Sequence, residues 1–117
     1  MMAARRSMHA SRAVRRAAAR FASAALLALP LAAAASDLGR EVFTTQATPP
    51  CAICHTLAAA GATGEVGPSL DVLKPSKAQI LEAVRTGVGV MPRYTDLLTE
   101  EQIQAVAEFV FVSTRGQ

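Results

Sequence analysis

Both cysteines of this chain, and its only histidine beyond residue 9, fall within five residues: Cys51-Ala-Ile-Cys54-His55. On a single helical turn Cys51 and Cys54 share one face, and His55 follows directly. Any fold of this chain must therefore bring two thiols and an imidazole together. A structural zinc site takes four ligands, and no further Cys or His follows. A thioredoxin-like dithiol needs a βαβ setting. A disulfide closing so small a loop adds little stability and leaves His55 without a role. Covalent attachment of one haem c, through thioethers from Cys51 and Cys54 with His55 beneath the iron, uses all three side chains at the spacing found.

The start of the chain bears on where such chemistry takes place. Residues 1–20 hold six of the twelve basic residues (Arg5, Arg6, Arg12, Arg15, Arg16 and Arg20) and no acid, and an apolar run follows from Phe21 to Ala34. That run is shorter than the roughly 20 residues a membrane-spanning helix needs. Residues 1–35 read as a secretory signal peptide, cleaved after Ala35 or a neighbouring alanine. The expected location is the periplasm, with no stable membrane anchor after cleavage. Arg15-Arg16 lacks a following Phe-Leu pair, so the general secretion route is expected rather than the twin-arginine one. Thioether formation on an unfolded, reduced chain outside the cytoplasm agrees with that route.

Removal of 35 residues leaves 82, with six basic side chains against all nine acidic ones, a net charge of −3. No basic patch for nucleic acid survives. A chain of this size, with aromatics at only 4% of the full sequence, is marginal on side-chain packing alone and is expected to enclose a cofactor.

Where the chain shows a periodicity, it is helical. Residues 37–43 place Leu38 and Val42 at i and i+4 beside Gly39 and Phe43, with Asp37 or Ser36 as the expected N-cap. Residues 44–50 read as a connector, because Pro49 disfavours helix at Thr48. Ala58 to Gly67 is Ala- and Gly-rich without periodicity, hence a loop. A helix is predicted over 76–86, with Ser76 and Gln79 as a capping box, Ile80, Leu81 and Val84 apolar, and Gly87 as the stop. A last helix begins at the Thr99/Gln102 box and carries Ile103, Val106, Ala107 and Val110 on one face. No stretch alternates with period two, so the domain is expected to be all-α.

The second axial position on the iron follows by elimination. Met1, Met2, Met8 and His9 leave with the signal peptide, so bis-His ligation within one chain is excluded. Met91, a lysine, water or an open site remain. Met91 lies in Gly87-Val-Gly-Val-Met-Pro92, a loop in which two glycines allow tight turns. Ligation by Met91 is favoured over a core methionine filling a gap.

At these residues the chain resembles the class I cytochromes c of small bacterial type, over Asp37 to Thr114. Gly39 and Phe43 match the family's first helix, and Val106 with Phe109 match the last helix that crosses it. Gly67-Pro68 matches the pair whose proline carbonyl accepts the N–H of the proximal histidine, and Met91-Pro92 matches the distal ligand. The resemblance implies three to four short helices around one haem. It departs from the family in a long connector containing Pro49-Pro50 and in the absence of Trp, which in many relatives bonds a haem propionate. Arg85, Arg93 and Tyr94 are candidate substitutes, with a solvated surface role equally open to each.

The resemblance implies a periplasmic one-electron carrier rather than an enzyme, passing electrons from a dehydrogenase to a high-potential oxidase. The run from Cys51 to Tyr94 is also similar to small cytochromes that accept electrons from bacterial sulfite dehydrogenases, so a dedicated subunit or acceptor of such an enzyme is the first alternative. A gas-binding or peroxidatic haem protein with Met91 displaced is the second. Lys74 and Lys77 are too few for docking through a lysine ring. The exposed haem edge is expected to be bordered instead by Ala58, Ala59, Ala60, Ala62, Val88 and Val90.

Overall fold

The computed structural model describes residues 29–116. The expected signal peptide lies outside the described residues as far as position 28. Five α-helices form the scaffold: α1 Leu29–Glu41, α2 Cys51–Cys54, α3 Leu70–Leu73, α4 Lys77–Thr86 and α5 Glu100–Ser113. Two two-residue strands, β1 Thr56–Leu57 and β2 Ala62–Thr63, pair antiparallel with Thr56 opposite Thr63 and Leu57 opposite Ala62.

The first helix starts earlier than its apolar pattern predicts. Ala32 to Ala35 are strong helix formers, so the helix runs through them and no cap forms at Ser36 or Asp37. Residues 31–37 are nevertheless exposed, and packing begins at Leu38. The same helix also ends later than expected, because Val42–Gln46 continue it as one wide π turn. The Thr44 and Thr45 hydroxyls bond back to the carbonyls of Arg40 and Glu41 at 2.9 and 3.0 Å, which carries the turn through part of the expected connector.

The central packing is the crossing of α1 over α5. A Cβ on Gly39 would lie 2.3 Å from the Ala105 carbonyl oxygen and 2.5 Å from the Phe109 Cβ, so only glycine allows this approach. One turn on, Phe43 meets Phe109 edge-on with centroids 6.1 Å apart. Helix α4 packs beside α5 and is tied to it at the rim by ion pairs of Lys77 with Glu108, at 2.7 Å, and of Arg85 with Glu100. Both capping boxes form: Ser76 accepts the Gln79 N–H, Thr99 accepts the Gln102 N–H, and each Gln returns the bond. Val42, Phe43, Ile80, Val84, Ile103, Val106, Phe109 and Val110 make the core between these helices.

The region expected to be loop from Ala58 to Gly67 holds a short 3-10 turn, Ala58–Ala60, within the β1–β2 hairpin. Gly61 closes it at φ +62°, a left-handed conformation. Helix α3 was not legible as a helix, since a single turn is too short to show a period. Its start is held by tertiary contact, the Asp71 carboxylate accepting the Ala58 N–H at 2.8 Å.

Candidate haem site

A cavity of about 440 Å³ opens between these elements. Its wall takes Pro50, Cys51, Cys54 and His55 from the α2 turn, Val66, Gly67 and Pro68 from the loop after β2, and Leu70, Leu73 and Pro75 around α3. Gln79, Ile80, Ala83 and Val84 come from α4, Val88, Val90, Met91, Pro92 and Tyr94 from the segment after it, and Val106 and Val110 from α5. The lining is overwhelmingly apolar, and the volume lies within the usual range for an enclosed organic ligand.

Each functional side chain is set by its local backbone. Pro50 caps α2, accepting the Ile53 N–H at 3.2 Å, and the turn carries Cys51 and Cys54 to the same cavity. Both are free thiols, so no disulfide joins them. Burial pushes the Cys51 thiol up to about 11. His55 leaves the helix in extended conformation, and its Nδ1 lies 2.8 Å from the Pro68 carbonyl oxygen. A carbonyl can only accept, so Nδ1 carries the proton and Nε2 is left as the donor atom for a metal. Gly67 makes room for this ring: a Cβ there would stand 2.5 Å from the imidazole Cε1.

Met91 is held in a tight turn. Its N–H donates to the Val88 carbonyl at 2.9 Å, and Val88 N–H returns to the Met91 carbonyl at 3.2 Å. Gly87 at φ +73° and Gly89 at φ +56° supply the left-handed backbone that the turn needs.

Tyr94 is buried, 3% exposed, and its ring lines the cavity. Its hydroxyl donates to the Pro49 carbonyl at 2.7 Å. Burial, with the nearby Cys51 and Cys54, pushes this hydroxyl up to about 12. Tyr94 is therefore not a solvated surface side chain, and its hydroxyl is committed to the backbone. Arg93 is not brought to the cavity; it is exposed and pairs with Asp96 at 3.0 Å. Arg85 is likewise engaged outside the wall, with Glu100.

Gln79 forms the cap that its spacing from Ser76 predicts, and it also borders the cavity. Its place one turn before Ala83 on the same face of α4 is the signal that could have found it. The apolar rim meets expectation at Val88 and Val90 and departs from it elsewhere. Val66, Leu73, Val88 and Val90 border the cavity and are strongly exposed, whereas Ala58 to Ala62 do not line it and Ala62 is buried against β1.

The residues present fit a covalently held haem. The wall offers two thiols on one turn, an imidazole with its outer nitrogen committed, a thioether, and otherwise apolar surface. Among the described residues no three His, Cys, Asp or Glu side chains converge as a ligand cage for a bare metal ion.

Comparison with known proteins identifies the family. The model of the family described as cytochrome c oxidase, cbb3-type, subunit III matches residues 34–110. The chain is 37% identical over 91 residues to chloroplastic cytochrome c6 of Chlamydomonas reinhardtii, covering 68% of this chain but only 56% of that protein's length. It is 32% identical over 85 residues to cytochrome c6 of Bryopsis maxima, covering 64% of this chain and 88% of that one. Among solved structures, the c-type cytochrome SorU from Sinorhizobium meliloti superposes with a TM-score of 0.67 at 48% identity, over 70% of this chain and 93% of that chain. By family match, relatives and fold together, the chain belongs to the cytochrome c family, in its class I monohaem form, a family of electron carriers rather than enzymes.

Proposed function

We propose that this protein is a periplasmic one-electron carrier with one haem c, bound through Cys51 and Cys54 and ligated by His55 and Met91. The observation that carries the reading is the convergence of these four side chains, from α2 and from the turn after α4, on one apolar cavity. A haem held there supplies reversible one-electron chemistry at its iron. The chain's own residues do the rest. Pro68 fixes the tautomer and plane of His55 and strengthens its Nε2 as a donor. The Val88–Met91 turn would present a thioether, a softer and weaker donor than a second imidazole, which favours the reduced state. The apolar side chains of the wall would exclude water from around the bound group, so that little reorganisation would accompany a change of its charge.

The reading of residues 1–35 as a signal peptide supports the periplasmic assignment. No described helix is long and apolar enough to cross a membrane. The rim of Val66, Leu73, Val88 and Val90 is the proposed contact for a donor dehydrogenase and an acceptor oxidase. A small apolar contact suits a transient redox encounter. Stopped-flow reduction by the native donor tests this: the rate should change little with ionic strength. A fall by orders of magnitude between low and physiological salt would show that a charged face does the docking instead.

A sulfite dehydrogenase is the donor favoured within this reading. Support comes from the similarity of the Cys51–Tyr94 run to acceptor cytochromes of such enzymes, and from the 48% identity to a small bacterial c-type cytochrome. Affinity capture from native periplasm should retain a sulfite-oxidising activity, and capture of a different dehydrogenase would replace this assignment.

A further inference from the structure

The connector before the haem-attachment turn contains Pro49-Pro50, two consecutive residues without an N–H. Such a segment cannot be pinned by its own backbone donors and is held only through its carbonyls. The Pro50 carbonyl takes the Ile53 N–H at 3.2 Å, inside the attachment turn. The Pro49 carbonyl takes the Tyr94 hydroxyl at 2.7 Å, from a residue 45 positions away. Tyr94 lies three residues after Met91, and its own N–H is fixed to the Val84 carbonyl at 2.9 Å, at the end of α4. One buried hydroxyl thus joins the segment that bears Met91 to the segment that leads into Cys51.

The other end of the Met91 turn is pliable. Gly87 and Gly89 both sit in left-handed conformations, and Val88, Gly89 and Val90 are exposed or half-exposed around them. With Met91 as a ligand, its withdrawal would require this turn to swing, with the Tyr94 end as the fixed point.

We propose that the Tyr94 hydroxyl is a tether that sets how often Met91 leaves the iron, and so keeps a six-coordinate carrier closed to outside ligands. Tyr94 acts through the Met91 loop and is a positioning residue. The proposal rests on ligation by His55 and Met91.

The test uses the ferric holoprotein at neutral pH with imidazole as the entering ligand. At saturating imidazole the binding rate reports departure of the methionine. Tyr94→Phe keeps the ring and deletes only the donor, and should raise that limiting rate about fivefold, the factor set by one neutral hydrogen bond. Gly39→Ala, which crowds the α1–α5 crossing away from the loop, should lower the unfolding temperature without changing the rate. Because Tyr94 is the only tyrosine, biosynthetic replacement by a ring-fluorinated tyrosine strengthens this one donor, and should slow the rate even if the Phe variant does not fold. An unchanged rate in both Tyr94 variants overturns the tether while leaving ligation intact. So does acceleration in Tyr94→Phe and Gly39→Ala alike, in proportion to lost stability. Absence of the iron–sulfur absorption band at the red end of the unmutated ferric spectrum overturns the ligation and the tether together.

Discussion

Gly67 shows how much one residue can decide. The His55 ring occupies the space a side chain at 67 would fill, and the next carbonyl, Pro68, sets the ring's orientation. Gly67→Ala cannot be absorbed by a flexible side chain, since its neighbour is a flat ring fixed at both ends once the haem is bound. Overpacking of this kind costs about 1–3 kcal/mol. The expected outcome is a lower yield of haem-loaded protein and a thermal midpoint several degrees lower; equal yield and midpoint would show that the ring has room to shift. The Gly-Pro pair was legible in the sequence through family resemblance alone, because nothing in its local pattern says which imidazole approaches it.

Glu100 offers a residue-scale test of pH dependence. Hydrogen bonds from Gln104 and Arg85 hold its carboxyl below the usual range. A depressed folded-state value means stability present above the unfolded value and lost as pH falls through the folded one. Glu100→Gln should therefore lower stability slightly at neutral pH and leave it unchanged at low pH, which flattens the acid limb; the effect is small because the Arg85–Glu100 pair is open to solvent. A steeper acid limb in the variant would reverse the assigned sign.

Among the elements, those with strong local signals are legible in the sequence. The Ser76/Gln79 and Thr99/Gln102 boxes fix the starts of α4 and α5 within the chain itself, so propensity, period and cap agree. The elements that are not legible are those whose deciding contact is distant in sequence. Helix α3 depends on Asp71 reaching Ala58, and β1–β2 on a two-residue pairing, neither of which leaves a periodic trace. The π turn at Val42–Gln46 depends on threonine hydroxyls whose back-bonding competes with the connector signal of Pro49.

The α1–α5 crossing was legible as Gly39, Phe43, Val106 and Phe109, and its geometry carries a prediction. Gly39→Ala gains about 1 kcal/mol of helix propensity, but its Cβ meets a backbone carbonyl at 2.3 Å, where neither helix can yield alone. The crowding should dominate, for a net loss of about 2 kcal/mol and a drop in midpoint of roughly 10 °C. A rise in midpoint would mean that the helices separate at little cost.

Across the whole molecule, the cavity lies where a domain of this size would otherwise have its centre. Phe43, Ile80, Val84, Val106 and Val110 are shared between the core and the cavity wall, so the packing that joins α1, α4 and α5 is also the packing around the haem. Folding and haem attachment should be coupled. Cys51→Ser with Cys54→Ser, expressed without haem attachment, is expected to give a mostly unfolded chain by circular dichroism. A cooperative thermal transition in that apo-protein would show that the side chains alone suffice. The exposed residues 31–37 ahead of Leu38 take no part in this core, so cleavage near Ala35 would leave it whole.

The central claim is a six-coordinate iron closed by Met91, and carbon monoxide binding to the reduced holoprotein tests it most directly. The unmutated protein should bind the gas slowly or not at all at neutral pH, while Met91→Ala should bind it rapidly and show a lower reduction potential. Rapid binding to the unmutated protein, equal to that of Met91→Ala, would contradict the account and favour a gas-binding haem protein instead.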